Sequence, residues 1–430
     1  MRDDLGTGVL APRYLTADVP GIRGVLKATA EDFLVEEIPL YQPCGEGEHI
    51  YLFVEKRGLS SVEMLGVIAR HFGVKRSAIG HAGLKDKRAI TRQVVSVHAP
   101  GKTPDDFPEL VHPRVGILWA DLHANKLKRG HLAGNRFSIK VRNVEPAAVR
   151  PALEALRILE RVGVPNRIGH QRFGYLMNNH LVGRAIVVGD SKLALDLMLG
   201  PHERAPKGQH TSRAHYGAGE YREAYDTWPR MYRAERMALH ALAAGEDPDE
   251  ALRCVDPTAA SFYVSSFQSA VFNDILNRRV LAGTLSELIP GDLAFVHKSR
   301  AVFAVDEVVA GEPETRRRLD VFEISASGPM WGSEMPRATG EVDRVEMDAL
   351  RATAVTPADF ARAAATSLEM LEGDRRPLRI PVRDIEVEGG MDEQGPYVRC
   401  AFELPRGSFA TTVMDEVMKG DPLQSEPHDA

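Results

Sequence analysis

Gly83-Leu84-Lys85-Asp86-Lys87-Arg88-Ala89-Ile90-Thr91-Arg92-Gln93, continuing as Val94-Val95-Ser96-Val97, sets one carboxylate among cations ahead of a β-branched run. From Arg70 to Arg92 there are seven Lys or Arg residues against the single acid Asp86. Gly80 and Gly83 precede the acid, so the pattern reads strand, tight loop, strand, with Asp86 on the loop. Cations around a carboxylate favour its charged form, which suits a nucleophile or an electrostatic anchor. On spacing alone the plainer account comes first: Asp86 balances the charge of a solvated basic loop.

The flanking sequence is β-rich. Gly24–Ala28, Phe33–Glu37 and His49–Glu55 read as short strands, with Gly45-Glu46-Gly47 as a turn. Ser60-Ser61-Val62-Glu63 reads as a capping box. It opens a helix with Met64, Leu65, Ile68 and Phe72 at helical spacing and Gly73 at its end. Phe137–Arg142 alternates like a half-buried strand, and a helix is predicted near Ala147–Val162. Beyond Val164-Pro165-Asn166 the texture turns helical, through Leu176–Ile186, Met231–Ala244 and Ala259–Leu281. Residues 200–222 carry no periodicity and read as a long exposed loop, whose histidines lack metal-ligand spacing. A hairpin is predicted at Gly291–Val305 and a helix at Pro357–Glu372. A strand follows at Tyr397–Leu404, then a last helix after Phe409. Residues 1–20 read as a poorly ordered lead-in.

The order β-rich, helix-rich, β-rich implies α+β architecture with one domain inserted in another. Its mixed, largely antiparallel sheet is built from both chain ends. Residues 1–160 and 381–430 would form one domain, interrupted by an inserted α/β domain at 161–380. The composition, 43% hydrophobic and 27% charged over 430 residues, fits a globular protein with room for two cores. The net charge of −6 excludes a wholly basic nucleic-acid binder but hides a second basic segment. Asp121–Arg142 carries Lys126, Lys128, Arg129, Arg136, Lys140 and Arg142 against one acid. The three cysteines, far apart, suit a reducing compartment. With no signal-peptide pattern and no apolar run near the roughly 18 residues a membrane span needs, a cytoplasmic location is expected.

The opening stretch resembles the signature of the TruD family of tRNA pseudouridine synthases, Gly-x-Lys-Asp-x-x-Ala-x-Thr-x-Gln, at every fixed position. Four further stretches resemble the family's motifs, in order: Lys27 with Glu31–Glu37; Gly134-Asn135-Arg136-Phe137; Pro165-Asn166 with Gly169–Gly174; and Leu404–Thr411. Phe267-Gln268-Ser269, Phe272-Asn273 and Gly328–Gly332 add to the likeness, which runs from about Lys27 to about Val417. Arg167 and Ile168 depart from it, standing where the family has Tyr-Phe.

The resemblance implies an enzyme that isomerises a uridine in tRNA, expected at position 13, without cofactor or metal. It implies Asp86 as nucleophile, with Lys27 as its partner. Phe33 and Phe409 would line the uridine pocket, Asn135 would bond the base, and Phe137 would take the stacking place that a Tyr fills in other pseudouridine synthases. By pattern alone Phe33 and Phe137 read as core residues, Asn135 as a turn residue and Lys27 as a surface lysine. Lys75, Arg76, Lys87, Lys126, Lys128 and Arg129 are candidates for RNA phosphates. Monomer is the default. A same-family enzyme acting on another RNA site, a non-catalytic RNA-binding protein and a nucleoside hydrolase are the rival readings.

Overall fold

The computed structural model describes residues 11–365 and 371–420. Its contacts divide the chain into two compact units. The sheet unit takes Thr16–Val164 and the chain from Ile380 to residue 420; the helical unit takes Pro165–Arg379 and residues 11–15.

The sheet unit is built on eight strands. These are β1 (Phe33–Pro39), β2 (His49–Arg57), β3 (Ile79–His81), β4 (Ile90–His98), β5 (Val115–His123), β6 (Leu132–Arg142), β7 (Arg383–Asp392) and β8 (Gly395–Pro405). The order is β7-β8-β6-β1-β4-β2-β5, with β3 also paired to β4. β1 runs parallel to β4, setting Leu34 opposite Ile90; the other pairings are antiparallel. The sheet is therefore mixed and largely antiparallel. β8 lies against β6 with Leu404 opposite Asn135 and Phe402 opposite Phe137, so both ends of the chain share one sheet. Gly134 permits this approach, because a Cβ there would meet the Leu404 carbonyl oxygen at 2.3 Å.

Helix α1 (Ser61–His71) starts at the capping box, with Ser60 and Glu63 bonded reciprocally. Met64 and Ile68 are fully buried among Leu52, Val54, Val95 and Val97. Each such side chain contributes roughly 1.5–3 kcal/mol on leaving water. Helix α2 (Val149–Val162) buries Ala152, Ala155, Leu156 and Leu159 and packs on β7.

In the helical unit the helix Pro257–Leu281 is the central member. A four-stranded antiparallel sheet, containing Leu293–Val296, Val302–Ala304, Ile324–Met330 and Asp374–Pro377, lies in the same unit. The motif residues of this unit hold one another. Asn273 donates to the Ile168 carbonyl at 2.9 Å and accepts from the Ile168 N–H at 3.0 Å. Gln268 donates to the Trp331 carbonyl at 2.6 Å. Arg167, at the departure from the family pattern, is buried and donates to Asn277 Oδ1 at 2.7 Å.

Several expectations are corrected. Gly24–Ala28 forms no strand; Val25 makes one bridge to Arg142, and Lys27 adopts the left-handed region at φ +53°. Residues 200–222 are not a loop but contain helices His210–Gly217 and Tyr221–Thr227. In the first of them the periodicity is masked because polar Ser212 and Arg213 are buried beside Tyr216, Arg213 being satisfied by Gln209, Tyr175 and the carbonyls of Met198 and Gly200. The lead-in is anchored from Thr16, whose N–H and hydroxyl both bond the Glu416 carboxylate. Residues 11–15 belong with the helical unit, where Arg13 N–H donates to Asn277 Oδ1 at 3.1 Å. Residues 1–10, and residues 366–370 of the predicted Pro357–Glu372 helix, lie outside the described residues. Among the described residues no helix is long and apolar enough to cross a membrane.

Candidate active site

Asp86 sits on the β3–β4 loop, its side chain 56% exposed. Three contacts pin the loop. Gln93 donates to the Gly83 carbonyl at 3.4 Å. Ser61, at the start of α1, accepts from the Lys85 N–H at 2.8 Å and donates to the Lys85 carbonyl at 3.2 Å. Lys56, at the end of β2, donates to the Asp86 carbonyl at 2.6 Å. The loop is thus preorganised by side chains from α1, β2 and β4.

The cations do not ring the carboxylate as the sequence suggests. Lys85 turns inward: its Nζ lies 3.1 Å from Glu37 Oε2 and donates to Asn135 Oδ1 at 2.5 Å. Arg92 pairs with Glu36 and Glu55, and Arg76 donates to the Val62 carbonyl. The ion-pair partner of Asp86 is Lys27, 59 positions earlier, with Nζ 3.0 Å from Oδ2. Among the described residues Oδ1 of Asp86 carries no hydrogen bond.

Lys27 also lies over the Phe33 ring, 4.4 Å from its centroid. Phe33 meets Phe137 edge-on at 6.3 Å, and Phe137 packs on Phe402 at 5.7 Å. Both Phe33 and Phe137 are buried, as the strand pattern alone indicates. Phe409 is different: it is 57% exposed and caps the terminal helix Ala410–Met418. It follows Pro405, which pairs with Gly134, the neighbour of Asn135. Phe409 thus stands four residues beyond the strand pairing next to Asn135, and Asn135 in turn bonds Lys85, the sequence neighbour of Asp86.

Two residues not marked by the sequence reading belong here. Burial pushes the Glu37 carboxyl up, with Lys85 and the Val94 N–H opposing. Burial pushes the Lys56 amine down to about 8, with Asp86 opposing it and Lys85 reinforcing it. A signal existed for both. Lys56 continues the apolar face Ile50, Leu52, Val54 of β2, and Glu37 continues Phe33 and Val35 of β1. Among the described residues no cluster of His, Cys, Asp and Glu could hold a metal. In the same unit Lys126 and Lys128 line a cavity of about 440 Å³ with Tyr41, His123, Asn125 and His131.

The family described as tRNA pseudouridine synthase D (TruD) matches residues 10–417. The chain belongs to the TruD family. The tRNA pseudouridine synthase D of Geobacter metallireducens is 42% identical over 410 residues, covering 95% of this chain and 98% of that protein. Its counterpart in Geobacter sulfurreducens is 43% identical over 410 residues, covering 95% and 97%. The crystal structure of the TruD protein from Methanosarcina mazei superposes with a TM-score of 0.85 at 29% identity, covering 98% of this chain and 99% of that one. The likeness to other TruD proteins thus spans both units.

Proposed function

We propose that this TruD-family chain isomerises uridine to pseudouridine in tRNA, at position 13, with Asp86 as the nucleophile. The observation that carries the reading is a half-exposed carboxylate on a loop fixed at three points, with Oδ1 open toward an incoming group. In the reaction the N1–C1′ bond breaks and a C5–C1′ bond forms. One proton leaves C5 and one joins N1, so no electrons are gained or lost.

The residues divide the work. The uridine must leave its stack, and the exposed Phe409 ring offers it a face. Because Lys85 occupies Asn135 Oδ1, the amide presents its NH₂ as donor to a uracil carbonyl. Lys27 holds Asp86 Oδ2, leaving the other carboxylate oxygen open to act as the nucleophile. Phe33 backs Lys27 with its ring, and Phe137 supports Phe33 from behind. Lys75, Lys87 and Lys128 contact RNA phosphates, positioning without reading sequence. The sheet unit is the catalytic domain and the helical unit the inserted one; the location is cytoplasmic.

The test is tritium release from unmodified tRNA carrying [5-³H]uridine, with pseudouridine mapping in cells lacking the protein. Release with loss of the position-13 modification is expected. No release, or free uracil in place of pseudouridine, overturns the reading.

A further inference from the structure

The helical unit contains a cavity of about 1250 Å³ that the catalytic proposal does not use. Glu235, in the first turn of helix Arg233–Ala243, faces into it with Tyr175 and Tyr263, and Phe262 stands at its wall. The carboxyl of Glu235 makes no ion pair among the described residues. Arg213, a cation whose charge reaches Glu235, is already committed to Gln209, Tyr175 and two carbonyls. Arg230 and Arg233, exposed on the cavity lining, likewise make no ion pair among the described residues.

This charge arrangement fits one ligand chemistry. A carboxylate is matched by two adjacent N–H donors, which among the common bases only guanine presents, at N1 and N2. Aromatic rings take a base face, and arginines take phosphate bidentately. We propose that this cavity binds an unpaired guanine nucleotide of RNA, with the base edge on Glu235 and its phosphates on Arg230 and Arg233. The Phe262 ring is already faced on one side by the Arg172 guanidinium, 5.0 Å from its centroid, which leaves the other for the base. Burial pushes the Glu235 carboxyl up, with Arg213 opposing. A bound guanine supplies the donors that its charged form lacks. The RNA origin of the nucleotide rests on the tRNA reading above, whereas the guanine preference does not.

Calorimetric titration of the full-length protein with 5′-GMP, AMP, CMP and UMP tests the preference. GMP is expected to bind about tenfold or more tighter than the others. Glu235→Gln, near-isosteric, erases that margin. Arg233→Ala, at the surface, weakens GMP but not guanosine, which keeps the test valid if the first variant folds poorly. An unmodified tRNA is expected to displace GMP; failure to do so assigns the site to free nucleotide and overturns the RNA part. Equal binding of all four nucleotides, or an unchanged margin in Glu235→Gln, overturns the guanine site. Asp86→Asn separates the two readings, since it should stop isomerisation while leaving GMP affinity as it was.

Discussion

Asp86 in the sheet unit and Glu346 in the helical unit are both carboxylates held by a distant cation, and their surroundings give them opposite work. Glu346 is buried and receives two hydrogen bonds from Arg375, at 2.8 and 2.7 Å. Arg375 is also buried and spends its other donors on Ser327. Asp86 is half exposed, held on one oxygen by Lys27, and its loop is fixed through the main chain instead. A closed pair with every group satisfied is a structural clamp. A pair with one carboxylate oxygen open can still react. The lesson is that the free coordination left on an acid, rather than the count of neighbouring cations, separates the two roles.

The largest effect is expected from Asp86→Asn, which should lower isomerisation on the order of a thousandfold or more. Its melting temperature should stay at the wild-type value, and a parallel collapse of both would make Asp86 a clamp like Glu346. The mirror experiment is Glu346→Ala, which leaves Arg375 buried without its carboxylate. Denaturant unfolding should show a loss of about 3–5 kcal/mol, with the rate per folded molecule unchanged. A rate loss without a stability loss would reverse the contrast.

Lys56→Met tests the main-chain anchor. Misplacing the loop by about 1 Å should cost on the order of a hundredfold in turnover. The pH profile sharpens this. Lys56 in the folded chain is depressed to about 8 from its ordinary 10.5. Wild-type turnover should therefore fall as pH rises through about 8 and the amine loses its charge, a limb that Lys56→Met lacks. Stability has the opposite sign. The unfolded chain holds the proton between about 8 and 10.5, so this group's contribution to stability rises with pH across that window. The smallest effect is on stability in Lys27→Ala, less than about 1 kcal/mol because the pair is partly exposed. A loss of several kcal/mol in urea unfolding would class Lys27–Asp86 with Arg375–Glu346.

Much of the fold was legible because its signals are local. The Ser60–Glu63 box, the alternation at Phe137–Arg142 and the run through Val94–Val97 each sit within one element. The failures share a cause. β5 and β7 are exposed strands whose outward residues blur the alternation, Glu386 and Glu388 in β7 pairing with Arg136 and Arg399 across the sheet. Helix His210–Gly217 hides behind a buried arginine, and Tyr221–Thr227 buries only Ala224. In β7 and around Arg213 polar side chains are satisfied by partners in other elements, which no local period records.

By itself the sequence determined the loop that bears Asp86, the strands flanking it and, through its ordered motifs, the family. Only the tertiary structure decided which cation serves that carboxylate. Lys85, one residue away, points inward to Glu37 and Asn135, while Lys27, 59 positions earlier, reaches the acid. The reason is geometric. Ser61 and Lys56 fix the main chain at Lys85 and Asp86, and the Lys85 amine is held on Glu37 and Asn135 rather than on the adjacent carboxylate. The parallel pairing of β1 with β4 instead brings the segment before Phe33 beside the loop before Ile90.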